Sequence, residues 1–173
     1  MAGSEERPDR FSALEGDAWG GLLGVHGRLM RLLERDLDER CGISHPEFEI
    51  LLRLDWAPDH RARQQDLAAA SVLTRSGASR AVERLERLGL VRRETAPEDH
   101  RGNYVVLLPP GHELLAKALD GHVPLVRSAF LTCFSNDELR AMADGWRRVE
   151  SGLEARVEPE RRRQRGVASR SPH

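Results

Sequence analysis

The sequence of 173 residues has little of several residue types on which whole classes of protein depend. Its two cysteines, Cys41 and Cys133, are too few for the disulfide framework of a small secreted protein. Lys117 is the only lysine, so arginine carries nearly all of the positive charge. That preference fits bidentate phosphate contacts. It fits a GC-rich gene equally well, and so it does not by itself indicate a nucleic-acid partner.

Long apolar segments and catalytic signatures are also missing from the sequence. The apolar runs are too short to span a bilayer, and the first residues lack the apolar core of a signal peptide. We therefore expect a cytoplasmic protein with no membrane partner. The sequence has no P-loop, no dinucleotide-binding glycine motif, no zinc-protease motif and no nucleophile elbow. We expect no enzymatic activity, no catalytic residues, no cofactor and no metal site.

The sequence is rich in charged residues of both signs. Charged residues make up 32% of the chain and hydrophobic residues 39%, as in helix-rich globular proteins. The formal net charge is −1, so a nucleic-acid-binding surface needs its positive charge concentrated locally.

The chain is predicted to have three parts between two tails. Apolar residues recur at three- and four-residue steps, which predicts a long dimerisation helix within residues 13–44 that ends at Gly42. Capping boxes at Ser44–Glu47 and Ser135–Glu138 are predicted to open two further helices. A lobe at residues 45–108 follows, and residues 109–156 are predicted to form C-terminal dimerisation helices with a break or bend near Pro124. The polar ends, residues 1–12 and 157–173, are predicted to be disordered.

Residues 64–108 have the pattern of two short helices followed by two strands. Thr74 is placed to cap the second helix. The side chains on the inward face of that helix are Ala78, Val82, Leu85 and Leu88. Residues 90–95 and 104–108 alternate like paired strands around a turn-forming loop. The predicted fold class is mainly α with a small β-hairpin wing: a winged helix-turn-helix lobe plus a helical dimerisation region.

The second helix is the candidate recognition helix, since the major groove of DNA admits one α-helix. Small residues in its first turns let the backbone approach the groove, and arginines there can reach guanine edges or phosphates. The candidate DNA contacts on this helix are Thr74, Arg75, Ser76, Ser79, Arg80 and, one turn further, Arg84. At the wing tip, Arg101 is the minor-groove candidate and Asp99 is placed to orient it. The alternative is an ordinary solvated face whose arginines pair with Glu83 and Glu86.

These motifs resemble the multiple antibiotic resistance regulator (MarR) family over roughly residues 15–155. The matching segments are Gln-Asp-Leu-Ala at 65–68, Leu-Thr-Arg-Ser at 73–76, Arg-Leu-Glu-Arg-Leu-Gly-Leu-Val at 84–91, Pro-Glu-Asp-His-Arg-Gly at 97–102 and Leu-Leu-Pro-Pro-Gly at 107–111. The resemblance implies a homodimer on a palindromic operator in double-stranded DNA. The implied contacts are Arg75, Ser76, Ser79, Arg80 and Arg101. One departure is Leu108, where the family usually has a helix-capping threonine.

Large apolar residues outside the lobe also favour a homodimer. They are Trp19, Leu22, Phe130, Phe134, Leu139, Met142 and Trp146. A lobe of residues 45–108 is too small to bury them all, whereas an intertwined interface can. The alternative is a self-contained helical bundle.

The resemblance further implies a small-molecule effector, such as an aromatic acid or a phenol, bound between the dimerisation helices and the lobe. The ligand-binding candidates are Trp19, His26, His45 and Arg53, although such residues are often ordinary core residues. The predicted function is therefore a repressor released by that ligand.

Two alternatives stay open at this point. One is a redox- or metal-sensing regulator that uses Cys41 or Cys133. Cys41 and His45 stand four residues apart, but Gly42 and Pro46 argue against one continuous helix, and the sequence places no further ligands. The other alternative is a dimeric protein-interaction module without DNA binding.

Overall fold

The computed structural model describes residues 11–70, 74–95 and 103–168, and the side chains of Ala70, Arg75 and residues 157–168 are outside this description. The helices are α1 (Ala13–Cys41), α2 (His45–Trp56), α3 (Gln64–Ala70), α4 (Arg75–Arg87), α5 (Pro109–Ala129) and α6 (Asn136–Ala168). The strands are β1 (Arg61–Arg63), β2 (Val91–Thr95) and β3 (Asn103–Leu107), and 3₁₀ turns cover Pro58–His60 and Leu131–Cys133. The chain divides into two units, Met1–Val126 and Arg127–His173. No helix in the described part of the chain has the length and apolar character needed to cross a membrane.

Helix α1 begins at a capping box and ends at a glycine. The Ser12 N–H donates to Glu15 Oε2 at 2.8 Å, and the Glu15 N–H donates to Ser12 Oγ at 3.3 Å. These hydrogen bonds to Ser12 lower the pKa of Glu15. Gly42, at φ 64°, takes the left-handed conformation that ends the helix, as predicted. Over its 29 residues the helix is about 43 Å long.

The core of the first unit lies between α2, α4, α5 and the sheet. Its largest fully buried side chains are Leu37, Ile43, Ile50, Leu51, Leu54, Leu85, Leu115, Val82, Val91 and Val105. Each large apolar side chain buried in this way contributes about 1.5–3 kcal/mol. The prediction for α4 is confirmed at Ala78, Val82 and Leu85. It is wrong at Leu88, which is 50% exposed, because the helix ends at Arg87 and the next glycine turns the chain into β2.

The sheet has three antiparallel strands in the order β1-β3-β2, where the sequence predicted a two-stranded hairpin. Strands β2 and β3 form the predicted hairpin, with Arg93 opposite Val105. Strand β1 pairs with the other edge of β3, with Ala62 opposite Val105. The third strand was missed because Arg61–Arg63 has three residues, two of them charged, and shows no apolar alternation.

Two glycines let α5 approach its neighbours closely. A Cβ on Gly111 would lie 2.4 Å from the Leu90 carbonyl oxygen, so this position packs the start of α5 directly against the backbone before β2. A Cβ on Gly121 would lie 2.9 Å from Cδ of Arg40, at the crossing with α1. Helix α5 runs unbroken through Pro124, so the interruption predicted there is not present.

The second unit is dominated by α6, which begins at the predicted capping box. The Ser135 N–H donates to Glu138 Oε2 at 2.7 Å, and this contact lowers the pKa of Glu138. The helix continues to Ala168 and so includes residues 157–168, which the sequence predicted to be part of a disordered tail. Cys133 is exposed in the 3₁₀ turn before α6, although its apolar sequence neighbours Phe130, Leu131 and Phe134 favour a buried thiol.

Candidate nucleic-acid interface

Helix α4 is anchored by one face and leaves its polar first turns exposed. It has 13 residues, about 20 Å of helix. Thr74 caps it as predicted, since the Gly77 N–H donates to Thr74 Oγ1 at 3.1 Å. The hydroxyls of Thr74 and Ser76 lie 3.1 Å apart, and Arg80 Nε donates to the Ser76 carbonyl oxygen at 3.3 Å. The structure therefore brings Thr74, Ser76 and Arg80 together at one exposed helix end.

The remaining predicted contacts fall into three groups. Ser79 is half-buried, and its carbonyl oxygen accepts a hydrogen bond from Arg93 at 3.4 Å. The side chain of Arg75 is outside the description of the structure, and Asp99 and Arg101 at the wing tip lie outside the described residues. Arg84 has internal partners, so its contact with phosphate stays a prediction.

Arg84 joins α4 to the corner between α1 and α2. One of its terminal nitrogens, Nη1, lies 2.6 Å from Glu47 Oε2, and the other, Nη2, donates to the Gly42 carbonyl oxygen at 2.9 Å. Glu47 is only 3% exposed and also accepts from the Ser44 N–H at 2.8 Å, as the predicted capping box requires. The carboxylate of Glu47 thus holds the start of α2 and the middle of α4 at once.

The base of the wing is fixed by Arg93 on β2. Its guanidinium is 2.8 Å from Glu86 Oε2 on α4 and 3.3 Å from Gln64 Oε1 on α3. One side chain therefore ties together the wing and both helices of the helix-turn-helix. The neighbouring Arg92 instead pairs with Glu94 in a more exposed contact.

Two arginines missed by the sequence reasoning lie beside the wing on β1. The guanidinium carbon of Arg61 is 5.0 Å from the centre of the Tyr104 ring, and that of Arg63 is 5.3 Å from it. Cations over an aromatic face are attracted by its electron density. The sequence signal was the Arg-Ala-Arg triplet directly before α3, together with the single tyrosine of the chain.

The predicted ligand-binding residues do not form one site. Trp19 and His26 are exposed on α1. Arg53 pairs with Glu49 at 2.6 Å, and His45 packs against Phe48. No hydrogen bond, ion pair or ring contact joins any two of the four candidates within the part of the chain that the structure describes.

A polar cavity of about 910 Å³ lies instead at the junction of α1, α2 and α4. Its lining residues are Arg31, Glu34, Arg35, Asp38, Gly42, Ser44, Glu47 and Arg84. Three arginines and three carboxylates line it, and Arg84 connects it to α4. The sequence did not indicate this cavity because its residues belong to three separate segments.

The helices α3 and α4 followed by the strands β2 and β3 define a winged helix-turn-helix protein. The MarR family model matches residues 41–102. The HTH-type transcriptional repressor YetL of Bacillus subtilis (strain 168) is 33% identical over 117 residues, 68% of this chain and 69% of that protein. The chain therefore belongs to the MarR family, and its relatives are transcriptional regulators rather than enzymes.

Solved structures of the same family superpose on most of the chain. Sco3205 of Streptomyces coelicolor, a MarR family transcriptional regulator in complex with DNA, is 33% identical with a TM-score of 0.80, over 86% of this chain and 92% of that chain. AbsC, a MarR family transcriptional regulator from the same organism, is 31% identical with a TM-score of 0.79, over 84% and 98% of the two chains.

Proposed function

We propose that this chain is a homodimeric, sequence-specific DNA-binding repressor whose recognition helix is α4. The observation that carries this proposal is the exposed cluster of Thr74, Ser76 and Arg80 on a helix that is otherwise anchored in the core. A helix N-terminus with free hydroxyl and guanidinium groups suits phosphate and base edges. The name of one relative as a repressor and the DNA complex of another support the same function. A cytoplasmic location follows from that function.

Exposed apolar side chains support the homodimer. Along α6, Trp146 is 43% exposed, Val149 is 50% exposed and Leu153 is 56% exposed, and they follow one another at three- and four-residue steps. On α1, Trp19 is 50% exposed. Apolar stripes of this size are rarely left in water. A two-fold dimer would present two α4 helices to half-sites about 34 Å apart, which requires a palindromic operator.

The polar cavity is the better-supported site for an effector. Arg31, Arg35 and Arg84 line it, and an arginine pairs with a carboxylate through two hydrogen bonds. This favours an aromatic acid over a neutral phenol. An acid that competes with Glu47 for Arg84 would loosen α4 from the α1–α2 corner, which offers a route to release from DNA.

Arg80→Ala tests the proposed interface. We expect the affinity for DNA from upstream of its own gene to fall by about 1–3 kcal/mol, measured by fluorescence anisotropy at fixed salt. Arg140→Ala is the matched control, because Arg140 is exposed on α6 and pairs only locally with Asp137. If both variants bind this DNA with the affinity of the wild type, Arg80 does not contact DNA and the assignment of α4 as the recognition helix loses its support. If the wild type shows no salt-dependent binding to this DNA, the protein-interaction alternative is favoured.

The structure gives redox sensing by Cys41 little support. Cys41 is half-buried, and burial raises the pKa of its thiol. Because the thiolate is the reactive form, a raised pKa makes a cysteine slower to oxidise. A Cys41→Ser, Cys133→Ser variant is expected to keep its response to effectors.

A further inference from the structure

Two histidines and an aspartate meet at the junction of α2, the following 3₁₀ turn and α5. They are Asp55, His60 and His112, and one ligand atom from each lies within 4.8 Å of the other two. His112 Nδ1 is 2.9 Å from Asp55 Oδ1, and the two imidazole rings meet edge to face with their centres 4.5 Å apart. This cluster is separate from the DNA-binding helix and from the polar cavity.

The backbone adopts an unusual path to bring His60 into the cluster. Asp59 and His60 have φ values of 54° and 51°, and they are the two non-glycine residues with positive φ in the described part of the chain. This conformation is disfavoured for residues with a Cβ, and such residues concentrate at functional sites. The turn folds His60 back toward α2, so that its Nδ1 reaches the Asp55 carbonyl oxygen at 3.0 Å.

That hydrogen bond determines which nitrogen of His60 is available. A carbonyl oxygen can only accept, so Nδ1 of His60 carries the proton and Nε2 keeps its lone pair. A backbone carbonyl that accepts from the second ring nitrogen is the usual way in which a metal-binding histidine is oriented. The Asp55 carboxylate supplies a second donor. His112 supplies the third once zinc displaces the proton that its Nδ1 shares with Asp55 Oδ1, since metal binding releases protons from its ligands.

We propose that Asp55, His60 and His112 bind one Zn²⁺ ion per chain, with water as the fourth ligand. Two imidazoles and one carboxylate are donors that suit Zn²⁺. Zinc bonds of about 2.0–2.1 Å place tetrahedral ligands about 3.3 Å apart, so ligand atoms that lie within 4.8 Å of one another have to approach by up to about 1.5 Å. The sequence did not predict this site, because its ligands span residues 55–112 without a short motif.

The ion would fix three elements to one another. His60 directly precedes β1, and β1 pairs with β3 of the wing, while His112 lies in the first turn of α5. A metal that binds only the folded chain stabilises it by mass action. Zinc is therefore expected to raise the midpoint temperature of thermal unfolding.

Zinc titration of the chelator-treated full chain tests the proposal. In competition with a chromophoric chelator, we expect one Zn²⁺ per chain for the wild type. His60→Gln and His112→Gln should each weaken zinc affinity by at least about 100-fold, since even residues that only orient ligands change affinity 10–100-fold. His122→Gln and Cys41→Ser are the controls, and both should keep the wild-type affinity and the thermal shift.

Two further readouts decide the outcome. His60 is exposed, so His60→Gln should fold even if His112→Gln does not, as circular dichroism would show. Cobalt bound in place of zinc should give visible absorption without a thiolate charge-transfer band. The proposal is overturned if the wild type binds no zinc, if His60→Gln binds it unchanged, or if cobalt reports a thiolate ligand. None of these readouts depends on DNA, so failure here leaves the proposed function standing.

Discussion

At the scale of the residue, Glu47 is a buried carboxylate that joins the start of α2 to α4. It is buried, it holds the N–H that opens α2, and it receives Arg84 from α4. Glu47→Ala removes these partners at once and is expected to lower the free energy of unfolding by about 1–3 kcal/mol. Urea denaturation checks this, with the exposed Glu39→Ala as the control. If the two variants are equally stable, the contact with Arg84 contributes nothing.

His122 gives the fold a pH dependence of known sign. Burial lowers the pKa of His122, and nearby His45 lowers it further, while Asp36 opposes them. The folded chain then binds fewer protons than the unfolded chain, so stability is lost as the pH falls through the unfolded value of 6.5.

The matched variant isolates this contribution. His122→Gln should lose less stability than the wild type when urea midpoints are compared at about pH 7.5 and about pH 5.5. His26→Gln, on an exposed position of α1, should behave as the wild type does. An identical pH profile for the wild type and His122→Gln would contradict the expectation.

At the scale of the element, Arg93 is the side chain that attaches the wing to α3 and α4. Arg93 reaches both Glu86 and Gln64, whereas Arg92 makes an exposed pair with Glu94. Arg93→Ala is expected to cost about 1–3 kcal/mol, since it leaves partly buried acceptors unpaired. Arg92→Ala should change stability by no more than about 0.5 kcal/mol. Thermal unfolding of the pair measures the difference, and equal midpoints would remove the special role of Arg93.

Helix ends could be predicted from the sequence, whereas pairing between distant segments could not. The capping residues Thr74, Ser135 and Gly42 fixed helix ends correctly, because capping is a local property. The short strand Arg61–Arg63 was missed, because its only support is pairing with β3, which follows 40 residues later in the chain. The polar cavity and the histidine–aspartate cluster were missed for the same reason. Contacts between distant segments leave no periodic signal in a single sequence.

At the scale of the whole molecule, the exposed stripe on α6 predicts the assembly. Trp146→Glu places a charge in the proposed interface and should convert the proposed dimer to monomers, measured by sedimentation velocity. The same variant should bind DNA with a shallower dependence on salt, because one lobe neutralises fewer phosphates than two. Trp56→Glu is the control, since Trp56 is 74% exposed and is the last residue of α2. A Trp146→Glu protein that stays dimeric would place the interface elsewhere.

Lys117 has a practical consequence for experiments on this protein. It is the single lysine of the chain, and it is exposed on α5. Apart from the α-amino group, it is the one primary amine to which a succinimidyl dye can couple. A fluorophore placed there would report on each protomer from one chemically defined position, without any engineered cysteine. Energy transfer between the two labelled halves of a dimer would then follow their separation as operator, acid or zinc is added.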